Sequence, residues 1–129
     1  MMKKTECDKK SVLVVAHGSR AKETEAALEA VLSMVKEKLP NAIIEGAFME
    51  FSERTLEKGV SALAAKGATE IKIIPYFLFM GTHLKKNIPH IRTVCAASFP
   101  GIKITMGEPL GVDERLADIL VDRIADNVT

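Results

Sequence analysis

The chain has little cysteine, no excess of either charge and no long hydrophobic run, and each absence removes a class of function. Cys7 and Cys95 are the only cysteines in 129 residues. They form no CxxC pair, so neither a disulfide-stapled module nor a thiolate metal site is indicated. Cys7 reads as a tail thiol and Cys95 as a small core residue on a helix. The 18 basic and 17 acidic side chains leave a formal net charge of +1 with the signs interspersed. That pattern carries no electrostatic footprint for nucleic acid or an anionic membrane. The longest apolar runs, near residues 12–16 and 73–80, fall far short of the roughly 20 residues that span a bilayer. Residues 1–10 are polar and lack the apolar stretch of a secretory signal. They read as a frayed lead-in to a single domain over 11–129, expected in the cytoplasm. No P-loop or GxGxxG accompanies the strand ends, which leaves a nucleotide-binding module unsupported. Ser11 and Ser19 have no nucleophile-elbow context.

What is present is a globular composition, 47% apolar and 27% charged, with short apolar runs alternating four times with helical periodicity. This is the pattern of a parallel sheet covered by helices on both faces, an α/β fold. The expected strands are Val12–Ala16, Ala42–Met49, Glu70–Ile74 and Ile102–Met106. The first helix, about Arg20 to Lys38, stacks Leu28, Val31, Leu32, Val35 and Leu39 on one stripe before Pro40-Asn41. The second is expected to be capped by Ser52, to bury Leu56, Val60, Leu63 and Ala64, and to close at Gly67. Pro89 suits the first turn of a third helix, leaving residues 75–87 as a long loop or a frayed strand end. The last, about Asp113 to Asp126, is expected to bury Leu116, Ile119, Leu120 and Ile124. Strands one and three are the least polar. The second is interrupted by Glu45 and Gly46 and the fourth alternates, so both read as edges and the order is 2-1-3-4 with right-handed crossovers.

That order places a topological switch between strands one and three, where open α/β sheets keep their ligand crevice. His17, in Val14-Val15-Ala16-His17-Gly18-Ser19-Arg20, follows strand one. His83, in Tyr76-Phe77-Leu78-Phe79-Met80-Gly81-Thr82-His83, follows strand three. Glu50, in Phe48-Met49-Glu50-Phe51, lies midway between them near the end of strand two. Two imidazoles and a carboxylate are a first shell suited to Co²⁺, Ni²⁺, Fe²⁺ or Zn²⁺ with coordination positions left open. Neutral imidazole also accepts protons near neutral pH. Glu50 is read as a third ligand or base, or as a carboxylate at a helix N-terminus. His90 lacks such support and reads as structural or exposed. The apolar 75–80 segment suits a flat apolar ligand, a partner subunit or plain core packing. Arg20, Lys85, Lys86 and Arg92 form either a cationic ring for substrate carboxylates or a solvated helix face.

Taken in order, Leu13 to Arg20, Phe48 to Phe51 and Pro75 to His83 followed by Ile88-Pro89 resemble the short-form, CbiX-type sirohydrochlorin cobaltochelatases. The resemblance covers nearly all the chain after residue 11. It implies a flavodoxin-like class II chelatase that inserts Co²⁺ into sirohydrochlorin without ATP, the step of anaerobic cobalamin biosynthesis. His17 and His83 would bind the metal and take the pyrrole protons, with Glu50 assisting. Around them Ser19, Arg20, Phe79, Met80, Gly81, Thr82 and Lys85 are expected to meet the tetrapyrrole. The ion would be substrate and no cofactor would be tightly bound. Ni²⁺ and Fe²⁺ are the alternative ions, and a noncatalytic metal or tetrapyrrole carrier is the alternative role. A chain of this length is expected to work as a homodimer whose partner supplies the missing wall, joined through its loop-rich apolar surface.

Overall fold

Four short apolar-rich runs form the strands because their apolar side chains pack under helices, with polar side chains where a strand has a wet side. The computed structural model describes residues 10–126, the side chains of Thr82, His83, Leu84, Ile88 and Ile91 excepted. The lead-in expected over 1–10 lies almost wholly outside the described residues, and Cys7 with it. Strands β1 (Ser11–Ala16), β2 (Ile43–Phe48), β3 (Glu70–Pro75) and β4 (Lys103–Met106) make one parallel sheet in the order β2-β1-β3-β4. The expected order and both edge strands are found. On edge strand β2, Glu45 pairs with Lys66 at 2.7 Å.

The helices are α1 (Glu23–Lys38), α2 (Leu56–Ala65), α3 (Thr82–Ser98) and α4 (Glu114–Ala125). One sheet face packs Leu13, Val15, Ile71, Ile73 and Ile104 against Val60 and Leu63 of α2 and Cys95 of α3. Cys95 is the small core residue expected, and burial pushes its thiol pKa up, helped by the charge of Glu57. The other face packs Val14, Ala16, Ile44 and Phe48 against Leu28 and Leu32 of α1.

Four expectations are corrected. The first helix starts at Glu23 rather than Arg20, because Ser19 Oγ accepts from Ala21 N–H at 3.1 Å and holds a local turn there. The cap of α2 is Thr55, whose Oγ1 accepts from Lys58 N–H at 3.3 Å. Ser52 instead accepts from Arg54 N–H at 3.0 Å, inside a loop closed by Phe48 N–H donating to Arg54 O at 2.8 Å. The third helix begins at Thr82, so Pro89 lies in its interior and the expected loop over 75–87 shrinks to residues 76–81. Gly81 turns the chain in extended conformation, and Lys85 N–H donates to Gly81 O at 3.0 Å to open that helix. Finally, α4 does not bury its apolar stripe. Ile119, Leu120 and Ile124 are 48%, 63% and 81% exposed, and among the described residues none in α4 is buried.

Candidate functional site

The parallel ladder does not stop where β1 stops. Met49 N–H donates to Ala16 O at 3.0 Å and Glu50 N–H to His17 O at 3.1 Å. On the other side, Tyr76 N–H donates to Val15 O at 2.7 Å. His17 therefore leaves the sheet between the ends of β2 and β3, at the crevice position expected of a switch point.

Gly18 explains how His17 and Glu50 meet. It turns the chain at φ +98°, and a Cβ there would sit 2.1 Å from the carbonyl oxygen of Glu50. Only glycine lets the first βα turn lie this close to the neighbouring backbone. The result is a contact of 2.7 Å between His17 Nε2 and Glu50 Oε1, with both side chains about half exposed. A neutral imidazole donating Nε2–H to this carboxylate keeps the lone pair of Nδ1 open to a metal ion or a proton. Phe77 backs the ring edge-on, centroids 6.4 Å apart at 76°. Because α2 starts only at Leu56, the reading of Glu50 as a helix N-terminal carboxylate falls away.

In the sequence Phe51 is no more than an apolar flank of Glu50. The structure shows its backbone at φ +58°, a left-handed conformation that costs a residue with a Cβ about 1–2 kcal/mol. Its ring is 52% exposed, with the Arg20 guanidinium 4.9 Å from its centroid. The pair forms an apolar wall edged with positive charge beside His17 and Glu50. No local signal marks it, since phenylalanine is not a residue that favours this conformation.

The β3–α3 connection supplies an apolar shelf. Phe79 and Leu78 are exposed, so core packing does not account for them. Together with Met80 and Lys85 they line an open depression of about 460 Å³, floored by Met106 and Gly107 of the neighbouring strand end. Gly81 is the α3 cap. Thr82 and His83 are the first residues of α3, and their side chains lie outside the described ones. Ser19 is exposed, its hydroxyl engaged by Ala21 N–H. Lys86, His90 and Arg92 are exposed along α3. The structure thus joins His17 to Glu50 and Arg20 to Phe51, with Lys85 beside the shelf. Among the described residues, no three His, Cys, Asp or Glu side chains gather as a metal site.

A family model described as CbiX matches residues 11–127. The chain is 40% identical over 88% of its length to a sirohydrochlorin ferrochelatase of Priestia megaterium, spanning 43% of that protein. It is 32% identical over 89% of its length to a sirohydrochlorin cobaltochelatase of Sulfurisphaera tokodaii, spanning 91% of it. Among solved structures, the sirohydrochlorin chelatase SirB of Bacillus subtilis subspecies spizizenii, in complex with cobalt, superposes with a TM-score of 0.82. There the identity is 34%, over 90% of this chain and 50% of that one. The chain spans about half the length of the ferrochelatases it matches. With the family model covering the whole sheet, and the His17 and Shelf segments both inside the match, the chain belongs to the CbiX family.

Proposed function

We propose that this protein inserts a divalent metal ion, Co²⁺ foremost, into sirohydrochlorin without ATP, as a cytoplasmic homodimer. The observation that carries the reading is the His17–Glu50 pair on an open rim, set between the Phe51–Arg20 wall and the 77–80 shelf. Metal insertion replaces two pyrrole N–H protons by one M²⁺ and releases two H⁺. A neutral imidazole suits both halves of that exchange, since it accepts a proton or displaces an aqua ligand with the same lone pair. Glu50 orients His17 and stabilises the imidazolium formed when Nδ1 takes a proton. His83, one residue into α3, is assigned the second proton and metal contact.

The ion is cargo in this scheme, so the site must release it, and a half-exposed pair with no thiolate favours turnover over retention. Arg20 and Lys85 would meet the carboxylates of the macrocycle, and Phe51 and Phe79 its faces. Cobalt is supported by the relative of matching length, named a cobaltochelatase. Iron is the first alternative, from the longer relatives named ferrochelatases, and nickel the second. A partner copy would supply the wall that a single chain leaves open.

The test is anaerobic incubation of the protein with sirohydrochlorin and Co²⁺, Ni²⁺ or Fe²⁺ separately, followed by tetrapyrrole absorbance. Turnover is expected, fastest with Co²⁺, and H17A and H83A should lose it while keeping the wild-type far-UV spectrum. Metal that co-elutes in gel filtration with no turnover would identify a carrier instead.

A further inference from the structure

Gly46 interrupts the apolar run of β2, and the space it leaves is used. It is buried, and a Cβ there would lie 2.9 Å from Leu32 Cδ1 and 3.2 Å from both Leu28 Cδ2 and Arg54 Nη2. The missing side chain opens a notch between β2 and α1 that the Arg54 guanidinium fills. Its Nη2 donates to Gly46 O at 3.3 Å and to Glu29 Oε1 of α1 at 2.5 Å, and its central carbon lies 5.8 Å from the centre of the Phe48 ring. An ion pair lodged partly out of water in this way is screened less than one on the open surface.

The backbone of Arg54 is held as firmly as its side chain. Its N–H donates to Ser52 Oγ at 3.0 Å and its carbonyl accepts from Phe48 N–H at 2.8 Å. Phe48 and Arg54 thus close a loop over residues 49–53, and that loop carries Glu50 and Phe51. Its outgoing leg is fixed by the bonds from Met49 and Glu50 to the end of β1. On the return leg, Arg54 ties the loop to a second element, α1, through Glu29. Between the two legs stands Phe51 at φ +58°, a conformation that persists only where the surroundings over-determine it.

We propose that Arg54 is the positioning residue of Glu50: clamped on Gly46, Phe48 and Glu29, it holds the 49–53 loop in the shape that aims the Glu50 carboxylate at His17 Nε2. It touches neither metal nor macrocycle and acts only through the carboxylate it places. Two features of the sequence that the metal chemistry leaves unused, the glycine in a strand and the arginine after the acidic loop, become one device. The effect on rate rests on the chelatase reading given above; the hold on the loop does not.

R54A should keep the wild-type far-UV spectrum, while in deuterium uptake the amides of Phe48 and Glu50 exchange about tenfold faster than in the wild type and those of Val14 and Ile73 do not change. Unchanged exchange at Glu50 overturns the proposal whether or not the protein inserts metal. With sirohydrochlorin and Co²⁺, R54A should lower kcat about 10-fold at little-altered KM, since a misaimed group costs rate rather than affinity, and R54K, which keeps the charge opposite Glu29, should recover part of the loss. Added to E50Q, R54A should slow the reaction by less than about twofold; the full loss on top of E50Q would mean that Arg54 acts elsewhere than through Glu50 and would also overturn the proposal. E29Q, which leaves the loop's own residues intact, should move exchange at Glu50 in the same direction, and it decides the matter if R54A fails to fold. A wild type that inserts no metal refutes the chelatase reading and leaves the exchange result to judge the hold on the loop.

Discussion

Gly18→Ala tests whether the contact between His17 and Glu50 is set by the backbone beneath it. The new Cβ would begin 2.1 Å from Glu50 O, so the two chain segments must separate by about 1 Å, and a displacement of that size at a reacting group costs on the order of 100-fold in rate. The backbone adds its own cost, because φ +98° suits glycine alone and holding alanine there takes about 1–3 kcal/mol. The hydrogen bond from Glu50 N–H to His17 O is the first to stretch, and with it the register that aims the carboxylate at Nε2. Urea unfolding should show a lower midpoint at unchanged slope, and metal insertion should fall about 100-fold with sirohydrochlorin affinity little altered. A variant with wild-type midpoint and rate would refute the idea that this turn positions the pair.

Phe51→Gly removes the left-handed strain of about 1–2 kcal/mol together with a half-exposed ring. Its melting temperature should stay level or rise while KM for the tetrapyrrole increases; a clear loss of stability would show that the ring is chiefly a packing element. Gly59→Ala drives a Cβ to 2.5 Å from Leu13 Cδ1 in the fully buried core. Overpacking of about 1–3 kcal/mol should outweigh the roughly 1 kcal/mol gained from better helix propensity, and a midpoint above wild type would contradict it. At the start of α4, the Arg115 side chain donates twice to Asp113 and, with the backbone bond from Arg115 N–H, holds that carboxyl well below the usual range. A depressed folded-state pKa stabilises fully above the unfolded value of about 3.9 and is lost as the pH drops through the folded one. The stability gap between wild type and D113N should therefore be flat from pH 7 to about 5 and close only in strong acid; closure near neutrality would refute this.

Strand order was legible because polarity reports coverage: Glu45 and Gly46 mark β2, and Lys103 and Thr105 mark β4, as strands with a wet side. The His17–Glu50 pair was legible for the same reason, since strand order decides which loop residues share a rim. Helix starts were less so. Pro89 favours a first turn, but the apolar spacing of residues 84, 88, 91 and 95 runs through it, and the extended Gly81 opens α3 seven residues earlier. The exposure of Ile119, Leu120 and Ile124 was hidden for a deeper reason. Periodicity says that a face wants cover and is silent on whether the same chain provides it. The Phe51 wall was hidden because it arises from the 48–54 loop closing on itself, a tertiary result.

The ladder bonds that continue beyond β1 into Met49 and Glu50 have a consequence for how a large planar guest gets in. They weld the histidine and its carboxylate into the same stiff slab as the sheet, so that side of the mouth acts as an anvil. Any widening during loading or release has to be taken up by the opposite jaw, residues 77 to 81. In deuterium uptake the amides of 49 and 50 should exchange among the slowest outside regular structure, and the jaw should slow down once a tetrapyrrole is seated.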